Sequence, residues 1–148
     1  MVPRLARLTF CTLFLAVAGV GHAIAPAEVL GVKLEDSSTD PAIAHLRITL
    51  DRGTVSAGRV TFEAVNESRS LQHDIVVVRE RGTGELPIDP QHGRINEHAV
   101  RRLGEIADLA PGKRAKLTLN LGPGTYLLIG NEPGQYKDEM AAKLVVAP

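Results

Sequence analysis

The sequence predicts an all-β fold, an antiparallel Greek-key β-sandwich of about seven to eight strands with one short helical insertion. Two observations indicate this class. Short segments with a period of two, or rich in β-branched residues, recur between residues 29 and 146. Turns rich in Gly, Pro, Asn or Asp separate them at intervals of roughly 8–12 residues. The 148 residues of the chain are enough for one such domain.

Four strands are predicted in the first half of the domain, at residues 29–35, 43–50, 59–66 and 71–80. In the second and third of these segments apolar residues recur at every second position, as in a strand with one buried face. This period directs His45 outward, so we expect a surface histidine there. The fourth segment contains the apolar run 75–78, which predicts a central strand buried on both faces.

Residues 81–94 contain three Gly and two Pro, and we expect them to form an irregular crossover connection without regular secondary structure. The segment 95–103 follows, where Ile95, Val100 and Leu103 fall near helical spacing. This spacing predicts a short helix. Its exposed face would carry the charged residues Glu97, Arg101, Arg102 and Glu105.

The C-terminal third predicts three further strands, at 116–121, 125–130 and 141–146, with turns between the first two. Residues 104–109 fit either a brief strand or an extended segment.

The N-terminal residues 1–25 predict a signal peptide. Arg4 and Arg7 form a basic region, residues 8–20 are apolar, and small residues follow. Cleavage after Ala23, Ala25 or Ala27 would fit the small-residue rule, and Pro26 argues against the second of these positions. We therefore expect a domain spanning residues 26–148 that is periplasmic or secreted and has no membrane attachment after cleavage.

Charge and composition exclude nucleic acid as a partner. Without Arg4 and Arg7, 15 Lys and Arg face 17 Asp and Glu, a net charge of −2. Such a chain has no basic field to attract a phosphate backbone. Beyond the apolar N-terminal segment, aromatic side chains are limited to Phe62, Tyr126 and Tyr136, too few for a base-stacking surface. We expect a monomer whose partner, if it has one, is another protein.

The only cysteine, Cys11, lies inside the predicted signal peptide. The mature chain therefore has no disulfide, no thiolate ligand and no nucleophilic thiol. A catalytic function is not predicted either. No Ser-His-Asp spacing stands out, and residues 82–87, GTGELP, lack the Gly-Lys-Ser or Gly-Lys-Thr of a phosphate loop.

Four local features resemble the cupredoxin family of small blue-copper proteins over roughly residues 45–147. They are GRVTFEAVNES followed by LQHDIVVV, the run LAPGKRAKLTLNLGPGTYLL, the loop YLLIGNEPGQYKDEM, and the closing strand AAKLVV. In the family, the loop pattern is Tyr, three residues, Cys, two residues, Pro-Gly-His, four residues, Met. The resemblance implies copper binding and electron transfer as the ancestral activity.

The resemblance assigns copper ligands position by position. His73 matches the first His and Met140 matches the axial Met. Gly130 occupies the Cys position and Gln135 the second His position. A blue site needs two imidazoles and a thiolate with a weak axial Met, so we expect no blue site even if copper binds.

Two functions remain open at this point. One is a metal-free or non-blue binding module in which the loop closes the end of the sandwich. The other is a periplasmic copper carrier with an altered Cu(I) site at His73 and Met140, since Cu(I) accepts imidazole and thioether ligands. Further ligands in the second case would come from Gln135, Glu132, Asp74, His92 or His98. For both insertion histidines, His92 and His98, we expect solvent exposure.

Overall fold

The structure is a computed structural model that describes residues 26–37, 45–82 and 84–148. It contains eleven strands: β1 (Glu28–Asp36), β2 (Leu46–Leu50), β3 (Thr54–Ser56), β4 (Gly58–Asn66), β5 (His73–Arg79), β6 (Ile88–Asp89), β7 (Arg94–Ile95), β8 (Arg101–Leu109), β9 (Arg114–Leu121), β10 (Gly124–Ile129) and β11 (Ala141–Ala147). The predicted signal peptide lies outside the described residues, as does most of the turn before β2. None of the described helices is long and apolar enough to cross a membrane.

The strands form two main sheets packed face to face, which confirms the predicted β-sandwich. The strand order is β2-β1-β4-β9 in one sheet and β3-β11-β10-β5-β8 in the other. Two strand pairs, β1–β4 and β3–β11, are parallel. The prediction of an antiparallel sandwich is therefore wrong for these two pairs. β6 and β7 form a separate two-stranded hairpin.

The core is formed by the residues that the period of two predicts to be buried. Along β4, the alternate residues Val60, Phe62 and Ala64 are buried, and they meet Leu128 and Leu144 from the opposite sheet in one cluster. Tyr126 is buried in the same cluster, and its hydroxyl donates to Gly122 O at 2.7 Å. A polar group on a buried ring normally needs such a partner.

The insertion between β5 and β8 makes β5 a strand buried on both faces. Val76 and Val78 of β5 form a second apolar cluster with Ile129 of β10 and Ile95 of the insertion. Ile75 and Val77 point into the main core. The unbroken apolar run thus reflects two cores, one on each face of β5.

The predicted helix at 95–103 is wrong. A single 3-10 turn spans Glu97–Ala99, capped by the Asn96 side chain, and β8 begins at Arg101. The apolar spacing misleads because its members belong to different cores. Ile95 and Val100 pack in the second cluster, whereas Leu103 packs against the main one.

The charged residues assigned to that helix are partly or fully exposed, but they lie on the 3-10 turn and on β8, an edge strand. Arg102 is ion-paired with both Glu97 and Glu105. Residues 104–109, left open between a strand and an extended segment, belong to β8.

Candidate functional site

The structure brings together the four residues that the loop pattern selects, at one end of the sandwich. His73 is the first residue of β5 and is fully buried. Gly130 directly follows β10, and Met140, also fully buried, directly precedes β11. The loop between them closes through a hydrogen bond from Gly130 N to Met140 O at 2.9 Å, and Gln135 within it is 6% exposed.

Gly130 lies against two of these side chains. A Cβ atom added at this position would lie 2.6 Å from Gln135 Oε1 and 2.6 Å from Met140 Sδ. Both distances are below any ordinary van der Waals contact. The space that a side chain at residue 130 would need is therefore already filled.

The Gln135 amide binds the His73 ring directly. Gln135 Nε2 lies 2.8 Å from His73 Nδ1 and donates to Gln72 O at 3.2 Å, while Gln135 Oε1 accepts from Glu132 N at 3.3 Å. The two backbone partners fix which end of the amide is nitrogen. Because an amide nitrogen only donates, His73 Nδ1 accepts, and the ring proton lies on Nε2.

The other side of the ring is also satisfied. His73 Nε2 lies 2.6 Å from Ser68 Oγ and donates a hydrogen bond to it. Asn66 orders this segment, because its side chain donates to Leu71 O and Leu109 O and accepts from Ser68 N. Both ring nitrogens of a buried imidazole thus have partners, so no orphaned polar atom is left on His73.

Burial lowers the pKa of His73, and the carboxylates of Asp36 and Asp74 oppose that shift only in part. The neutral ring agrees with the hydrogen bonds, since a protonated Nδ1 would face the amide NH₂ of Gln135.

This lowered pKa predicts a loss of stability in mild acid. The unfolded chain binds the His73 proton more tightly than the folded one, so the contribution is complete above the unfolded pKa of about 6.5 and is lost as pH falls below it. One proton gives a slope of at most about 1.4 kcal/mol per pH unit. Urea unfolding between about pH 8 and pH 5 should show this slope in the wild type and not in His73→Asn.

The matched control is His98→Asn, which removes an exposed histidine and should keep the slope. Glu132 works in the opposite direction, because desolvation and then the nearby Asp74 raise its pKa. A group with a raised pKa contributes stability that is complete below its unfolded pKa. That contribution is lost as pH rises through the folded pKa. Glu132 is present in every variant, so it cancels in the comparison. An unchanged slope in His73→Asn would contradict the assignment.

A cluster of three acidic side chains lies next to the loop. The sequence did not reveal this cluster. Ligand oxygens of Asp74, Asp108 and Glu132 lie within 4.8 Å of one another. Protein groups already bind each of them. Asp74 Oδ1 accepts from Asp108 N, Asp108 Oδ1 accepts from Gln72 Nε2, and Glu132 pairs with Arg94 at 2.5 Å. The three residues lie on β5, on β8 and in the loop, so no local sequence motif contains all of them.

The insertion packs on the loop through its backbone, whereas its two histidines face solvent. Gly134 N donates to Gly93 O at 3.0 Å, and Asn131 Oδ1 accepts from Ile95 N at 2.7 Å. His92 is exposed and its Nδ1 lies 2.6 Å from Asp89 Oδ2, and His98 is exposed as well. Neither imidazole contacts the ring of His73.

No protein-family model matches the sequence, and no curated protein matches it. Solved structures do resemble the fold. Auracyanin from Roseiflexus castenholzii is 22% identical, with 84% of this chain and 99% of that one covered at a TM-score of 0.54.

Auracyanin B is 21% identical, and the match covers 84% of this chain and 91% of that one at a TM-score of 0.54. Rusticyanin from Thiobacillus ferrooxidans is 14% identical, and the match covers 82% of this chain and 79% of that one at a TM-score of 0.53. Both auracyanin and rusticyanin are cupredoxins. At these identities the likeness concerns the fold, and it covers most of the chain: this protein has the cupredoxin fold.

Proposed function

We propose that this protein is an exported cupredoxin-fold binding module that works without a type 1 copper ion. The observation that carries the proposal is the Gln135 amide hydrogen-bonded to His73 Nδ1. It gives the buried imidazole a protein partner at a nitrogen that could otherwise hold a metal. Export rests on the basic and apolar pattern of residues 1–25.

The residues at this site do not fit blue copper. Residues 26–148 contain no cysteine, so no thiolate can complete the trigonal set. Gln135 offers a neutral amide in the place where the family pattern has an imidazole. Its oxygen and the Met140 sulfur occupy the space beside residue 130. We therefore assign neither electron transfer nor catalysis to this site, and the loop acts as packed structure.

A second candidate function is a Cu(I) carrier that uses His73 and Met140. The observation in its favour is that both side chains are buried, that His73 contacts Gln135, and that Met140 lies beside Gly130. Imidazole and thioether suit Cu(I). Gln135 Nε2 would have to leave His73 Nδ1 before a metal could bind there, which makes this candidate the weaker one.

A copper titration of the mature protein separates the two functions. Cu(I) and Cu(II) are added separately and read by competition with a chromophoric chelator, and thermal unfolding is followed with and without metal. For a metal-free module we expect the melting temperature to be unchanged by copper. A ligand that binds only the folded state at 100 times its Kd would add about 2.7 kcal/mol, which is readily seen.

Two variants assign any binding that does occur. Met140→Leu conserves volume and removes only the thioether, so the fold should persist. His73→Ala removes the imidazole. Copper binding that survives both substitutions belongs to surface groups such as His92 and leaves the proposal standing. Micromolar or tighter Cu(I) binding that Met140→Leu and His73→Ala both abolish would overturn it in favour of the carrier.

A further inference from the structure

A groove lies at the end of β5 opposite the loop between Gly130 and Met140. His73 begins β5 and Arg79 ends it, which separates them by roughly 20 Å at about 3.3 Å per residue. The groove has a volume of about 540 Å³, and residues 79–81, 84–87 and 98–101 line it. That volume lies within the usual range for small-molecule sites, about 300–1,000 Å³.

The charge of the groove is positive and is not balanced by the protein. Three arginines line it together with His98, against Glu80 and Glu85. Glu80 is paired outside the group with Lys143 at 3.2 Å. Arg79 donates to Pro123 O and lies over the Tyr126 ring. Within the described part of the chain, no hydrogen bond or ion pair holds the guanidinium of Arg81 or of Arg101.

Two of these arginines are neighbours across the β5–β8 strand pair. Arg79 of β5 and Arg101 of β8 are directly opposed partners. The Arg79 guanidinium lies against Pro123 O and the Tyr126 ring, on the side of β5 away from β8. Arg101 has no such contact, so an anion in the groove would supply a counter-charge that the described part of the protein does not provide.

Part of the groove lining is apolar. Leu86 and Val100 line it, and both are partly buried against the second apolar cluster. Guanidinium forks bind carboxylate and phosphate groups through paired hydrogen bonds. The combination of these apolar lining residues with the unpaired arginines suits a ligand with both an oxyanion and a hydrocarbon part.

We propose that this groove binds a small organic oxyanion, a carboxylate or phosphate monoester with an apolar body, with Arg81 and Arg101 as its main contacts. The site goes beyond the binding-module function proposed for the protein and does not depend on whether copper binds at the opposite end. The copper titration and the ligand test can therefore fail separately.

Calorimetric titration and amide chemical shifts of the mature protein test the site. The probes are hexanoate, phenyl phosphate and inorganic sulfate. We expect saturable binding of an organic probe, with shifts concentrated in residues 84–87 and 98–101, and weaker binding of sulfate. Preference for hexanoate or for phenyl phosphate identifies the oxyanion. Equal affinity for sulfate would reveal an adventitious ion only and would overturn the proposal, as would the absence of saturable binding by all three.

Arg101→Gln and Arg59→Gln form the matched pair of variants. Each removes one exposed positive charge, but Arg59 lies on β4 of the other sheet. Arg101→Gln should weaken binding by about tenfold or more, because it removes a charge-assisted hydrogen bond to the oxyanion. Arg59→Gln should bind as the wild type does. Equal loss in both variants would mean non-specific attraction and would contradict the site.

A readout without ligand separates a binding role from a structural one. Because no hydrogen bond or ion pair within the described residues holds the Arg101 guanidinium, Arg101→Gln should leave the melting temperature of the ligand-free protein nearly unchanged. A clearly lower melting temperature would mean that Arg101 supports the fold, and it would overturn the assignment of Arg101 as a ligand contact.

Discussion

Gly130→Ala should lower the free energy of unfolding by about 1–3 kcal/mol, the usual cost of overpacking a filled site. The added methyl would lie 2.6 Å from Gln135 Oε1 and 2.6 Å from Met140 Sδ, and 2.9 Å from Met140 Cγ. Both side chains are buried and cannot swing into solvent. Urea unfolding of the variant and the wild type measures the difference, with equal m-values as the sign that the folded state is otherwise intact.

Gly53→Ala is the control for this substitution. Nothing lies within 4 Å of a Cβ at Gly53, and its backbone does not adopt a left-handed conformation. An alanine there should be neutral or slightly stabilising, because it only restricts the unfolded chain. The comparison therefore isolates the contact made by residue 130 from the general effect of replacing glycine.

A double-mutant cycle identifies the side chain responsible. Gln135→Ala removes one of the two close contacts, so Gly130→Ala should cost less in that background, with a coupling energy of about 0.5–3 kcal/mol. If Gly130→Ala is as stable as Gly53→Ala, the loop side chains do not fill the space beside residue 130. The proposal of a closed site would then fail.

The sequence predicts the sandwich well because the period of two is a local property. Val60, Phe62 and Ala64 alternate in the sequence and alternate in burial. The spacing of Gly130, Gln135 and Met140 likewise predicts that they share one loop, and the match of His73 to the family pattern predicts its place beside that loop. Each of these predictions needs only nearby residues or an ungapped alignment.

What the sequence did not reveal depends on contacts between distant residues. The hydrogen bond between Gln135 and His73 joins residues 62 positions apart, and no motif states which way an amide turns. Val100 and Leu103 suggest a helix until the structure shows that they face different cores. The opposition of Arg79 and Arg101 appears only once the register of β5 and β8 is known.

The double substitution Gly130→Cys with Gln135→His should produce a blue Cu(II) site. It supplies the missing thiolate and imidazole and completes the set of His73, the two new ligands and Met140. Replacing Gln135 also removes the amide from His73 Nδ1, which frees that nitrogen for the metal. Intense visible absorption on adding Cu(II) measures the result, because a short copper–thiolate bond is required for it.

The single variants test the same geometry. Gly130→Cys alone retains the Gln135 amide against His73 Nδ1, and Gln135→His alone supplies no thiolate, so both should stay colourless with Cu(II). In Gly130→Cys the added Cβ would also lie 2.6 Å from Met140 Sδ, and circular dichroism must show that each variant is folded. A folded but colourless double variant would mean that residues 130 and 135 do not face a shared cavity. Gln135 both occupies His73 Nδ1 and stands at the position of a lost ligand. Colour in the double variant and in neither single variant would therefore show that copper needs both the new thiolate and the removal of the Gln135 amide.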